Sequence, residues 1–221
     1  RTSIGFFLSI LIGMMIAGIL AFAIGSVLSK LEENYYALAS LGFNVILFSL
    51  FLNGGSLTRG PLGIPGIPRP EIFGMRLDSL ELYLLFTFVC LTFIFLCSRR
   101  IVGSSFGRVL KAIREEEKIA QLLGYKTFWY KLIIFCIGGM MAALAGSLFA
   151  SYITFIDPSS FSLNESIFLL AIVILGGLAN IHGSLLGAAF LILLPEALRF
   201  VGFPTDVAAQ LRQATYGLLL I

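Results

Sequence analysis

Two apolar runs, Leu80 to Cys97 and Leu132 to Tyr152, flank one charged block that begins at Ser98 and reads SRRIVGSSFGRVLKAIREEEKIAQLLGYKTFWYK. A helix needs about 20 apolar residues to cross a bilayer, and each run supplies them. Similar runs fill most of the remaining chain. The mean hydropathy is +1.00 and only 12% of residues are charged, against about 25% in soluble domains. This pattern predicts an all-α integral membrane protein, a polytopic helical bundle.

The charged block orients the bundle. It holds Arg99, Arg100, Arg108, Lys111, Arg114, Lys118, Lys126 and Lys131, about half of the 15 basic residues. Loops rich in Lys and Arg stay in the cytoplasm, so 98–131 is read as a cytoplasmic loop. The remaining runs then fall into place around it. Ile4 to Leu28 and Tyr36 to Leu52 are the first two spans, joined on the inside through Lys30, Glu32 and Glu33. The Gly/Pro-rich segment NGGSLTRGPLGIPGIPRP, from Asn53 to Pro70, lies outside and cannot be regular helix. Arg59, Arg69 and Arg76 run against the inside bias there and are outvoted. The segment ITFIDPSSFSLNES carries no Lys or Arg and belongs outside, one crossing from the basic loop.

Two shorter apolar pieces, about Ile167 to Leu178 and Ser184 to Leu194, are split by GGLANIHGS. They form two spans with a tight turn or one re-entrant pair. Pro195 to Gln213 is expected to be an interfacial connector before a last span. The chain begins at Arg1 without Met and stops at Ile221 inside an apolar run, so helices are expected to be missing or incomplete at both ends. The whole of 1–221 is read as one transmembrane domain.

Small residues recur at a four-residue step on the first and fourth spans: Gly13, Ala17, Ala21 and Gly25, then Gly138, Ala142, Gly146 and Ala150. Gly183 with Gly187 gives a third such pair. In lipid these stripes let helix backbones approach closely. Cys90, Cys97 and Cys136 lie in apolar runs and read as small hydrophobes, with no disulfide or metal pattern. The lone His182 reads as structural.

Within the charged block, Ser104 or Ser105 can cap a helix whose Phe106, Val109, Leu110 and Ile113 recur at helical spacing. A second short helix runs through Glu116, Ile119, Ala120, Leu122 and Leu123, with Gly124 as its stop. Ile119, Leu122 and Leu123 form an apolar knob among charges, and a knob in water needs a partner groove.

The segment GRVLKAIREEEKIAQLLGYKTFWYKLIIF resembles the cytoplasmic coupling region of ABC-importer permeases, in particular the M-type subunit of the branched-chain amino acid permease family. SLTRGPLGIPGIP resembles that family's outer segment, usually written with a TGGPNGL-like core, and IDPSSFSLNESIFLLAIVILGGLANIHGSLLGAAFLILLPEALR resembles its C-terminal half. The chain departs from the family at Arg59, in place of a small residue, and at Ala179, Asn180 and His182, where the pattern is GGLGSxxG.

The resemblance implies the ABC-importer transmembrane-subunit fold, with broken or short helices, in a bacterial inner membrane. It implies two cytoplasmic ATP-binding subunits, a homologous permease subunit and a periplasmic or extracellular amino-acid-binding protein, with no cofactor, metal or nucleic acid. It assigns ATPase coupling to Gly107, Arg108, Arg114, Glu115, Glu116, Ile119, Ala120, Leu123 and Gly124. The chain has no G-x-x-x-x-G-K-[ST] phosphate loop, so ATP is expected to be hydrolysed by a partner.

For the cargo path the residues themselves offer Tyr36, Ser40 and Asn44, on one helical face at i, i+4 and i+8. The ordinary reading of such an amide is an interhelical hydrogen bond. Gly60, Gly63, Gly176 and Gly177 add broken backbone, whose free amides and carbonyls suit a zwitterion. The expected cargo is a branched-chain or similar hydrophobic amino acid. A urea or short-amide importer is the alternative, because those permeases share the same segments. An ion-coupled secondary transporter is disfavoured by the lack of acidic residues in the spans. A membrane scaffold has little use for helices interrupted at membrane depth.

Overall fold

Among the described residues there are eight α-helices, six of them on the apolar runs of the chain. The computed structural model describes residues 3–31, 33–55, 58–72, 75–76 and 79–200. The helices are α1 (Ser3–Leu28), α2 (Glu33–Asn53), α3 (Leu80–Gly103), α4 (Ser105–Glu115), α5 (Glu117–Leu122), α6 (Thr127–Ile153), α7 (Leu163–Gly176) and α8 (Ile181–Phe200). Short strands β1 (Ile64–Pro65), β2 (Glu71–Ile72), β3 (Met75–Arg76) and β4 (Phe155–Ile156) lie in the connections. Among the described residues, five segments are long and apolar enough to cross a membrane: Gly5–Leu28, Tyr35–Asn53, Leu80–Gly103, Thr127–Ile153 and Pro158–Gly176. The chain is a multi-pass membrane protein.

It divides into two compact units, Arg1–Ser159 and Ser160–Ile221. In the first, α1 and α6 pack antiparallel, and small residues set how closely they lie. A methyl group on Gly139 would meet Ala21 Cβ at 2.9 Å, and one on Gly25 would meet Phe135 Cδ1 at 2.8 Å. The α1 stripe expected from sequence does face a neighbour, since Gly13, Ala21 and Gly25 all meet α6. On α6 the contacting stripe is offset by one residue. Gly139 and Ser147 face α1, whereas Gly138 and Gly146 have nothing within 4 Å.

The outer Gly/Pro segment is irregular, as expected, and closes on itself. The Thr58 hydroxyl lies 2.5 Å from Phe51 O and 2.9 Å from Gly54 O, carbonyls left over at the end of α2. Gly60, at φ +54, sits so close that a Cβ would come within 2.5 Å of Leu52 O. β1 pairs antiparallel with β4, Ile64 opposite Ile156 and Pro65 opposite Phe155. Gly66 and Ile67 amides both donate to Thr154 O, at 3.0 and 3.1 Å. Two segments assigned to the same side of the membrane are therefore clasped together.

Helix boundaries differ from the apolar runs in one systematic way. α3 continues past Cys97 to Gly103 and α6 begins at Thr127, so both ends of the 98–131 block are helical extensions of spans. Only Ser104 to Lys126 lies between them. Charged residues end an apolar run without ending a helix, because Arg and Lys are good helix formers.

In the second unit α7 and α8 form a hairpin around Ala171, Ile172 and Leu191. Gly176 and Gly183 meet backbone to backbone, and a Cβ on Gly187 would come 2.7 Å from Ile172 O. The Gly183–Gly187 pair is thus a helix contact, with α7 as its partner. α7 alone has 14 residues, about 21 Å at 1.5 Å per residue, so the span Pro158–Gly176 reaches its length only with the helical turn Pro158–Phe161 that precedes α7. α8 runs through Pro195 to Phe200, where a connector was expected. The rest of that connector and the final apolar run lie outside the described residues, as does Glu32.

Candidate functional site

The charged block folds as a bracket between α3 and α6. Ser104 caps α4, its Oγ accepting from the Gly107 amide at 3.3 Å. Gly107 is buried against the last turn of α3, where a Cβ would come within 2.5 Å of Ile101 O. No larger residue fits there, so α4 leaves α3 at a fixed angle. Val109 is buried and Phe106, Leu110 and Ile113 are half-buried, while Arg108, Lys111, Arg114 and Glu115 face out, as the spacing predicts. The Phe106 ring stacks on Tyr130 of α6 at 5.2 Å.

Glu116 leaves the helical region, with φ −157 and ψ 103, and starts α5. Ala120 is 1% exposed and forms the inner contact of this short helix. Gly124, at φ +87, donates to Gln121 O at 2.9 Å, and Tyr125 donates to Ala120 O at 3.2 Å. Gly124 is therefore the C-terminal stop the sequence suggested. Ile119, Leu122 and Leu123 are 56%, 87% and 70% exposed. The knob is real, and it is carried on one helical turn.

What holds α5 to α6 was not singled out in the sequence. Lys131 Nζ lies 2.8 Å from Glu117 Oε1 and 3.0 Å from Oε2. Gln121 Nε2 donates to Thr127 Oγ1 at 3.0 Å. Burial pushes the Glu117 carboxyl up, yet hydrogen bonds with Lys131, Thr127 and Gln121 and the Lys131 charge together hold it below its ordinary value. The signal was present as two i, i+4 polar pairs, Glu117–Gln121 and Thr127–Lys131, hidden among many charges.

A cavity of about 860 Å³ opens between the α1–α2 turn and this bracket. Lys30, Tyr36, Arg114, Glu116, Glu117 and Lys131 are among the residues that line it. It brings one expected path residue, Tyr36, together with expected coupling residues. Ser40 and Asn44 lie further along α2, half-buried, and the Ser40 hydroxyl donates to Ala37 O at 2.8 Å. Gly60 and Gly63 sit at the opposite end of that unit. Gly63, at φ +64, is packed where a Cβ would lie 2.6 Å from Ile156 O. Gly176 lies in the α7–α8 contact and Gly177, at φ +87, ends α7. The described residues contain no group of three His, Cys, Asp or Glu placed to hold a metal.

A family model described as branched-chain amino acid transport system, permease component, matches residues 1–221. The chain is similar to the high-affinity branched-chain amino acid transport system permease protein LivM of Escherichia coli (strain K12). The two are 31% identical over 220 residues, 89% of this chain and 52% of the relative. A probable branched-chain amino acid transport permease protein LivM of Methanocaldococcus jannaschii is 26% identical over 188 residues, 80% of this chain and 53% of the relative. The autoinducer 2 import system permease protein LsrC of Photorhabdus luminescens is 35% identical over 109 residues, 47% of this chain and 33% of the relative. The chain spans about half the length of the LivM relatives. No solved structure matches.

Proposed function

This chain belongs to the permease component family of branched-chain amino acid transport systems, and on that premise we propose that it is the membrane subunit of an ATP-driven importer. It moves branched-chain or similar hydrophobic amino acids into the bacterial cytoplasm across the inner membrane. Two cytoplasmic ATP-binding subunits supply the energy, a homologous permease subunit completes the pore, and an extracytoplasmic binding protein delivers the cargo. The two relatives that match over 89% of the chain carry branched-chain amino acid names, which favours this reading over a urea importer.

The observation that carries the proposal is the bracket. Its apolar knob of Ile119, Leu122 and Leu123 is exposed, on a bracket whose Arg108, Arg114, Glu115 and Lys118 are exposed as well, the form of a plug for a groove on a cytoplasmic partner. Both ends of the bracket are fixed to spans. Gly107 locks α4 onto the end of α3, and the Glu117–Lys131 and Gln121–Thr127 contacts lock α5 onto the start of α6. A displacement of the knob by closing ATPase subunits then moves α3 and α6 instead of dissipating in a loose loop. Tyr36 and the adjoining cavity lie next to the moving part, and Ser40 and Asn44 continue the path along α2. In this reading Gly60, Gly63, Gly176 and Gly177 shape broken backbone along the route.

The test is leucine uptake by proteoliposomes that hold the full-length protein with its partner subunits, with and without ATP and binding protein, and with excess urea as competitor. ATP-dependent leucine uptake indifferent to urea is the expected result. Urea uptake without leucine uptake would keep the importer and overturn its cargo.

A further inference from the structure

Ser29 and Lys30, just past the end of α1, help to line the cavity of about 860 Å³ between the α1–α2 turn and the bracket. Ser29 is only 5% exposed, and among the described residues nothing pairs with its hydroxyl. Buried polar groups are almost always hydrogen-bonded, and one that is not calls for a partner from outside the chain. We propose that this cavity is a binding site for a singly charged phosphate group, presented by an anionic phospholipid of the inner leaflet. It depends on the bracket being cytoplasmic and not on the cargo.

The ligand class follows from which charges are already committed. Among the described residues the wall carries Lys30, Arg114, Lys118 and Lys131 against Glu115, Glu116 and Glu117. The Glu115 carboxylate accepts from Arg114, and the Glu117 carboxylate is held by Lys131 at 2.8 Å. Lys30 and Lys118 are exposed and form no ion pair among the described residues, and of the lining carboxylates Glu116 is left to oppose them. The open charge is one positive unit in excess, which a phosphodiester monoanion cancels. A divalent cation would face both lysines, a nucleoside triphosphate would overfill the excess, and a zwitterion would leave it standing. Lysine ammonium groups bind phosphate as point charges, and the Ser29 hydroxyl has a proton to donate to a phosphoryl oxygen.

The depth of the cavity identifies the source of that group. The spans Gly5–Leu28, Tyr35–Asn53 and Thr127–Ile153 all have an end beside it. Tyr35 and Trp129, in the first turns of α2 and α6, are 64% and 50% exposed, and exposed Tyr and Trp at span ends lie at headgroup level. The Trp129 ring meets that of Phe128, a lining residue, edge to face at 5.4 Å. A basic pocket among the cytoplasmic ends of spans is where an anionic headgroup binds.

The test uses the full transporter complex in lipid nanodiscs, with Cys90, Cys97 and Cys136 replaced by alanine and Ser29→Cys as reporter. A small uncharged maleimide is expected to modify that thiol severalfold more slowly in phosphatidylglycerol than in phosphatidylcholine. Lys30→Gln combined with Lys118→Gln should erase the difference. Glu116→Gln should lower the phosphatidylglycerol fraction that gives half protection. Native mass spectrometry of the complex with Ser29 in place gives an independent reading, in which the double lysine variant retains one phosphatidylglycerol fewer per copy of this chain. Inorganic phosphate at millimolar concentration in phosphatidylcholine is expected to give no protection. Protection there would uphold the phosphate chemistry and overturn the lipid as its source. A thiol with the same reactivity, or none, in both lipids, a lipid effect that survives the lysine changes, or an unchanged lipid count would each overturn the site.

Discussion

Ala179 holds φ +63, Arg59 +57 and Thr154 +60, the non-glycine residues with positive φ among those described. Two of these three are the positions where the chain departs from the family's glycine-rich patterns. The backbone is left-handed at both without a glycine, at a cost of about 1–2 kcal/mol per residue. Ala179→Gly should remove most of that cost, less the extra freedom glycine gives the unfolded chain. A net gain of about 0.5–1 kcal/mol is expected, visible as a rise of roughly 2 °C in the thermal unfolding midpoint in detergent. A fall would mean the turn is not left-handed. Asn180 is a substitution without cost. Its Oδ1 accepts from the Gly183 amide at 3.1 Å at the start of α8, which the serine of the family pattern could equally do.

Gly183 shows the opposite limit. A methyl group there would collide with the Gly176 carbonyl, a backbone atom that cannot swing away. Gly183→Ala is expected to destabilise the hairpin by about 3 kcal/mol or more through overpacking. Gly138→Ala, with nothing within 4 Å, should be neutral or slightly stabilising in the same assay. Thermal midpoints of the two variants, measured together, check the pair. If both fell equally, the close α7–α8 contact would be wrong.

Among the elements, α5, to which the proposed coupling role falls, has only six residues, too few to be stable as an isolated helix. Its order comes from Ala120 packing, from Gly124 and from the Glu117–Lys131 tie. Leu122→Asp, on the exposed knob, should leave the fold intact and uncouple ATP hydrolysis from uptake. Ala120→Arg, at a site 1% exposed, should cost both stability and coupling. Uptake per ATP hydrolysed in reconstituted vesicles separates them, and unchanged coupling in Leu122→Asp would remove α5 from the mechanism. The pH dependence follows from the sign of the Glu117 shift. Its carboxyl titrates lower in the folded protein than in the unfolded chain, so its contribution is complete above about pH 4.5. It fades as pH falls through the lower folded value. Lys131→Met should weaken that acid-range component, leaving the part due to Thr127 and Gln121, with a loss at neutral pH of about 0.5–1 kcal/mol, since the pair is only partly shielded.

The same elements show what periodicity can reveal. The helices of the bracket, the Gly124 stop and the knob were legible because each has a local cause: a cap, an amphipathic spacing, a left-handed glycine. The contacting stripe on α6 was not. Gly138 and Gly139 start two adjacent four-residue stripes of small residues, and nothing along one helix says which meets α1. The Glu117–Lys131 tie was hidden for the same reason, since it joins residues that sequence spacing does not relate.

At the scale of the first unit, several independent contacts agree on one topology. The end of α1, at Ser29 and Lys30, and the start of α6, at Thr127 and Lys131, line one cavity with the bracket. The start of α1 and the end of α6, at Ser147 and Ser151, line a second one with Arg69 and Glu71. β1 and β4 join the two lysine-free connections at that same end. If the basic bracket is cytoplasmic, then Leu62, 80% exposed beside β1, must be outside, and Leu122, 87% exposed on α5, must be inside. Single cysteines at these positions make the assignment measurable, in a background with Cys90, Cys97 and Cys136 replaced. An impermeant maleimide added to intact cells should modify Leu62→Cys at once and Leu122→Cys only after permeabilisation. The reverse pattern would invert the bundle. It would place the knob where no ATPase subunit can reach it, so this one experiment bears directly on the coupling assignment.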